Sequence, residues 1–335
     1  MTMIFTLFQI LALFYLFLFL SLSSLTLSER CDPNDKKALL QIKKDLNNPY
    51  TLISWDPKTD CCDWFGTVLA CDDKTNRITK FALSQTDLHL PIPAAIGDLP
   101  HLQNLAFHVC NVTGQIPPAI SKLSNLNFLD LRQNLLTGPI PSFLANLKKL
   151  SYIGLSRNGL TGSIPPSLSQ LPQLSGLLLD RNNLTGGIPA SFAGFKVKDF
   201  YLYMSHNQLS GPIPARLGHT NFTLFDVSRN RLVGDISFMF GKNKSLNSAD
   251  FSRNLFSFDF SKVELSENLQ NLDLNHNKIF GSLPAGLDDI HLNSLNVSYN
   301  RLCGRIPVVG NLQVFDSTVY FHNRCLCGSP LTECK

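Results

Sequence analysis

The chain reads as a right-handed superhelical solenoid of the α/β type. A parallel β-sheet should line its concave face, short 3-10 or turn segments its convex face, and disulfide-stapled caps its two ends. Three features carry that reading. Asn134, Asn158, Asn182, Asn207, Asn230, Asn254, Asn277 and Asn300 recur at intervals of 24, 24, 25, 23, 24, 23 and 23 residues. Around each runs the same text, L-x-x-L-x-L-x-x-N-x-L-x-G-x-I-P, as in Leu126, Leu129, Leu131, Asn134, Leu136, Gly138, Ile140 and Pro141. Eight of the nine cysteines stand in two clusters that bracket these repeats. A period sustained at this length means stacked coils rather than a single globular core.

The N-terminal elements come first. Residues 4–20 are nearly all apolar, residues 21–28 are small or apolar, and no Lys or Arg precedes Arg30. With Thr26-Leu27-Ser28 as a small-x-small cleavage site, residues 1–28 are expected to be a secretory signal peptide. Residues 29–76 should form a cap. Ala38, Leu39, Leu40, Ile42 and Leu46 are set among charges from Asp35 to Leu46, the pattern of an amphipathic helix. With Trp55 and Trp64 this helix would cover the apolar face of the first coil. Small caps in secreted chains are commonly disulfide-stapled. Neighbouring Cys61 and Cys62 are poorly placed to bridge each other, which favours Cys31–Cys61 and Cys62–Cys71. A lone C-x-C later in the chain gives little support for zinc, so no metal or cofactor is expected.

Residues 77–309 carry the repeats. Counting back from the asparagines places Cys110 and Thr86 in the same slot, which makes ten units of the leucine-rich-repeat type. A coil of 24 residues cannot bury its own leucines, so each must stack on its neighbours. The residues five and three before the slot point inward and the residue between them outward, giving one short strand per coil. At the slot the backbone leaves the strand, and an Asn amide has the donors and acceptor to satisfy the freed groups. Gly then supplies turn freedom, and Pro after Ile fixes φ where no N–H is needed. Cys110 is expected to be a free, buried and inert thiol, because an apolar site suppresses thiolate formation. Residues 303–335 overlap the last repeat and form the C-terminal cap, with Cys303–Cys325 and Cys327–Cys334 as the matching pairs. No second apolar run of about 18 residues occurs. A secreted, freestanding monomer without a transmembrane anchor is therefore expected.

Function should lie in the outward columns of the strands. Four before the slot stand Asp130, Gly154, Leu178, Tyr203, Asp226, Asp250 and Asp273; six before stand Phe128, Tyr152, Tyr201 and Leu224. Contiguous exposed apolar and aromatic groups resemble binding hot spots, and solenoids use this concave face for partners. Beside them runs a basic edge, Arg157, Arg181, Arg229 and Arg253, and the net charge of +4 could favour acidic polysaccharide in a cell wall. Enzyme readings fare poorly: the eight histidines are dispersed, and carboxylates on an open sheet lack an enclosing pocket. Phosphate loops and nucleic-acid motifs are absent, so no nucleic-acid partner is expected. N-glycosylation sequons stand at Asn111, Asn183, Asn221, Asn243 and Asn296, the last on the sheet face.

At this point the residues resemble a known family. The cap Cys31…Asp35-Lys-Lys-Ala-Leu-Leu-Gln-Ile-Lys43…Trp55…Cys61-Cys62-Asp63-Trp64, the ten L-x-G-x-I-P units, Gly234-Asp235-Ile236-Ser237 in place of G-x-I-P, and the ending Cys303-Gly304…Cys325-Leu-Cys327-Gly328-Ser-Pro330…Cys334 are similar to plant polygalacturonase-inhibiting proteins. The resemblance implies a cell-wall defence protein with plant-specific repeats. It would bind secreted microbial or insect endopolygalacturonases through the concave sheet, and pectin as well. It also implies contact positions seven before the slot: Ser151, Ser175, Thr223, Asn247, Gln270 and Asn293. The acidic pocket of the family would fall to Asp130, Asp226, Asp250 and Asp273, interrupted here by Gly154, Leu178 and Tyr203. Two other roles are weighed beside this one: a receptor-associated module that captures a peptide, and ice binding, which the mixture of Arg, Asp and large rings disfavours.

Overall fold

The computed structural model describes residues 29–64, 68–308, 310 and 312–335; the expected signal peptide, residues 1–28, lies outside them. An eleven-stranded sheet runs through the described residues, from Leu69–Cys71 and Ile78–Ser84 to Ser294–Asn296. Its first pair is antiparallel and the rest are parallel. Parallel register stacks one inward residue of each coil on the next: Leu105, Leu129, Ile153, Leu177, Leu202, Phe225, Ala249, Leu272 and Leu295. All are buried, and each removes apolar surface that a single coil would leave in water. Leucine fills the middle coils, whereas Phe195, Phe200, Phe222, Phe225, Phe251 and Phe256 form a run of ring contacts in the later ones.

The slot asparagines form a hydrogen-bonded ladder. Asn182 accepts from Leu160 N at 3.0 Å and donates to Leu155 O and Leu179 O, both at 3.0 Å. Every rung from Asn134 to Asn300 reaches the coil before it in this way. Asn323, inside the C-terminal cap, adds a rung that the repeat count omits: it accepts from Leu302 N and donates to Val297 O. Cys110 bonds His108 O, and Thr86 bonds Ser84 O and the Thr51 hydroxyl of the cap, so neither makes the asparagine bridge. The Cys110 thiol is free and buried, and burial pushes its pKa up. The residue before each slot, from Gln85 through Val109 and Arg157 to His322, holds a left-handed φ between 51° and 56°.

The convex side carries the expected 3-10 segments and, in addition, a second sheet. Five-residue 3-10 turns do follow Pro93, Pro117, Pro141, Pro165, Pro189 and Pro214. Before them, however, lies a second parallel sheet of seven short strands, from Thr113–Gly114 to Leu255–Phe256. Its sequence, L-x-G, hides it. Glycine in a strand weakens it and ordinarily marks a bend, and Gly138, Gly162 and Gly186 indeed have positive φ.

Both ends are closed. The cap helix, Pro33–Asp45, is started by the Asp32 side chain accepting from Asn34 N and Asp35 N, and buries Asp35, Ala38, Leu39 and Ile42. Asp35 is fully buried, and Arg77 binds it through two hydrogen bonds of 2.7 and 2.9 Å. Trp55 stacks on Trp64 at 5.0 Å and meets Phe81 edge-on. At the far end Tyr320 is buried and donates to Leu312 O at 2.8 Å. Disulfides join Cys31 to Cys61, Cys62 to Cys71, Cys303 to Cys325 and Cys327 to Cys334.

Candidate functional site

Two register columns define the concave face. One runs Phe128, Tyr152, Gly176, Tyr201, Leu224 and Ser248; the other runs Asp130, Gly154, Leu178, Tyr203, Asp226, Asp250, Asp273 and Asn296. The face is divided in two by chemistry. In the N-terminal half, Phe128 and Tyr152 stack at 4.5 Å with an 8° interplanar angle. Asp130 does not join an acidic line there: it is 5% exposed and held by Arg132 through bonds of 2.9 and 2.8 Å. The guanidinium two residues along neutralises it, and Arg132 lies 5.8 Å from the centre of the Tyr152 ring. Burial pushes the Tyr152 phenol up to about 12, and burial raises Tyr203 as well. Leu178, Tyr203 and Leu224 are half-buried beside them, and Tyr201 is 41% exposed.

In the C-terminal half, Asp226, Asp250 and Asp273 stand on three successive strands, which lie about 4.8 Å apart. They line a hollow of about 450 Å³ with Asp180, Tyr203, Ser205, Ser228, Ser252 and Asn275, rimmed by Arg181, His206, Arg229 and Arg253. Partial burial, with Asp250 nearby, raises the Asp226 carboxyl. Burial above all lifts Asp273 to about 6, although Asn275 donates to it and Asp250 adds to the rise. Burial and the flanking Arg181 and Arg229 depress His206. Asp180 also belongs to this hollow; it stands two before the slot, in a column otherwise rich in serine that shows no acidic pattern. It accepts from the Ser156 hydroxyl.

Arg157, Arg181, Arg229 and Arg253 are exposed, and among the described residues none of them forms an ion pair within 4.0 Å. The positions seven before the slot are less available. Ser175 donates to Ser151 O at 3.2 Å and Asn247 to Asn268 O at 3.0 Å, while exposed Asn293 makes a 3.4 Å contact with Gln270. Of the sequons, Asn183, Asn221 and Asn243 are exposed and Asn111 bonds Asp87. Asn296 is half-buried on the concave sheet, its oxygen accepting from Ser298.

Stacked coils, an asparagine ladder and a displayed sheet define a leucine-rich-repeat protein. Family models described as leucine rich repeat N-terminal domain and leucine rich repeat match residues 32–67 and residues 125–147, 149–171, 200–220 and 268–290. Polygalacturonase inhibitor 2 of Arabidopsis thaliana is 54% identical over 326 residues, covering 96% of this chain and 98% of its own. The polygalacturonase inhibitor of Vitis vinifera is 54% identical over 311 residues, covering 92% and 93%. The crystal structure of a plant ice-binding protein superposes with a TM-score of 0.88 at 49% identity, over 91% of this chain and 99% of that one. The chain belongs to the polygalacturonase-inhibitor family of leucine-rich-repeat proteins. The two curated relatives named above are inhibitors rather than enzymes. Among the described residues no helix is long and apolar enough to cross a membrane.

Proposed function

We propose that the chain is a secreted cell-wall defence protein that binds endopolygalacturonases on its concave face and blocks their access to substrate. Membership of the inhibitor family supports the target class. The observation that carries the mode of binding is the acidic hollow of Asp226, Asp250 and Asp273 beside the aromatic surface of Tyr152, Tyr201 and Tyr203. A desolvated aromatic patch supplies affinity, while charge sets encounter rate and partner choice. The hollow suits a basic loop of the enzyme. The exposed rim of Arg157, Arg181, Arg229 and Arg253 suits the carboxylates of pectin, by which the inhibitor would be retained in the wall. The protein acts as a monomer, without metal or cofactor.

The test is residual activity of a panel of fungal and insect endopolygalacturonases with the purified mature chain, alongside direct binding. Inhibition of at least one enzyme, weakened by salt, is expected; neither inhibition nor binding across the panel overturns the reading. The likeness to an ice-binding structure supports a second reading. Yet the displayed columns mix charges and large rings, so thermal hysteresis near zero is expected. Capture of a receptor ectodomain from apoplast, in place of an enzyme, would instead favour a receptor-associated role.

A further inference from the structure

Gly154 and Gly176 sit mid-face, where a strand gains nothing from glycine. Neither has a positive φ, so the backbone there would accept any L residue. Glycine inside a strand costs stability and ordinarily marks a place where something approaches closely. Here that something is the Tyr152 ring. A Cβ on Gly176 would lie 2.8 Å from Tyr152 Cδ2, and one on Gly154 would lie 2.9 Å from Cε1 and 3.0 Å from Oη. The ring therefore fills the space that both glycines leave empty. On its other side it stacks on Phe128, and beneath it the Asp130–Arg132 pair is closed.

We infer that Gly154 and Gly176 determine target specificity, by holding Tyr152 as a fixed aromatic plate that receives an apolar side chain of the enzyme. This rests on the inhibitor reading above. Charge selects the occupant. The carboxylate of this half is neutralised by Arg132, so an apolar group is matched here, whereas a basic group is matched at the hollow further along the same sheet. Tyr201 stands on the strand beyond: Gly176 pairs in register with both tyrosines, and the three atoms nearest the position its Cβ would take belong to Tyr152 and Leu178. A ring whose rotamer is already locked loses little entropy on binding, which raises affinity for enzymes that present the matching group. Gly154 and Gly176 are positioning residues; Tyr152 makes the contact.

The experiment measures inhibition constants against at least two endopolygalacturonases for wild type, Gly176→Ala, Tyr152→Ala and the double variant, with Tm for each. Gly176→Ala should change the ratio of inhibition constants between enzymes about tenfold while Tm moves little. Tyr152→Ala should do the same, and adding Gly176→Ala to it should change nothing more, because the glycine acts through the ring. Where Gly176→Ala fails to fold, Gly154→Ala presses on the same ring and replaces it. Ratios within twofold of wild type for the glycine variants, or a glycine effect undiminished without the ring, overturn the inference alone. A wild-type chain that inhibits no enzyme overturns the inhibitor reading, and this inference with it.

Discussion

Asp273 shows how the sheet makes a side chain responsive to its surroundings. Its folded carboxyl titrates at about 6 against 3.8 for the unfolded group, chiefly through burial. Between these values the folded state holds the extra proton, so the residue destabilises the fold as pH rises from the unfolded to the folded pKa, and does so fully above about 6. Asp273→Asn should therefore raise stability at pH 7, by about 1 kcal/mol once solvent screening is discounted, and leave it unchanged near pH 3.5; thermal melts at the two pH values check this. Binding has the opposite sign. A cationic partner needs the ionised form, so its Kd should rise about tenfold from pH 7 to pH 5, and Asp273→Asn should flatten that dependence. Val109 is a second case. It is β-branched yet holds a φ of 56°, where the left-handed region costs such a residue roughly 1–2 kcal/mol. Val109→Asn should stabilise by about 1 kcal/mol in denaturant titration, since asparagine tolerates that region.

At the level of elements, the N-terminal cap depends on one ion pair. Asp35 is fully buried and accepts from Arg77 twice and from Ile78 N. Removing one member of such a pair leaves a charge without compensation, at about 3–5 kcal/mol. Arg77→Ala should lower the urea midpoint accordingly, with the cap helix exchanging its amides first. Elements with a strong hydrophobic period were legible in advance: the cap helix from Ala38, Leu39 and Ile42, and the inner strands from the leucines flanking each displayed position. The outer sheet was not, because Gly138 and Pro139 read as a turn although they belong to a strand. Asn323 keeps the repeat period but lacks its leucines, since Tyr320 and Leu312 fill that part of the core. The site was legible as columns and illegible as chemistry. No linear pattern shows that Arg132 closes over Asp130, or that the Tyr152 ring takes the room of two glycines.

The whole molecule is a one-dimensional stack in which each coil answers mainly to its neighbours. Asn323→Ala should therefore act locally. It leaves Leu302 N and Val297 O without their partner, at about 1–3 kcal/mol for each buried group. Hydrogen exchange should accelerate in residues 294–305 while protection near Leu129 and Ile153 is kept; uniform acceleration would show a single cooperative unit instead. The ladder also has a direction. Between coils each rung's side chain reaches back and not forward, as Asn158 does to Leu131 and Leu136, so a coil is completed by a residue that lies in the next one. During synthesis the N-terminus emerges first. Each coil then leaves the ribosome with two backbone groups still open and is closed in retrospect, one repeat late. The first two slots, Thr86 and Cys110, do without asparagine, and the last cap does not. The solenoid is thus a queue in which every member waits for its successor, and Asn323 is the residue that lets the last one stop waiting.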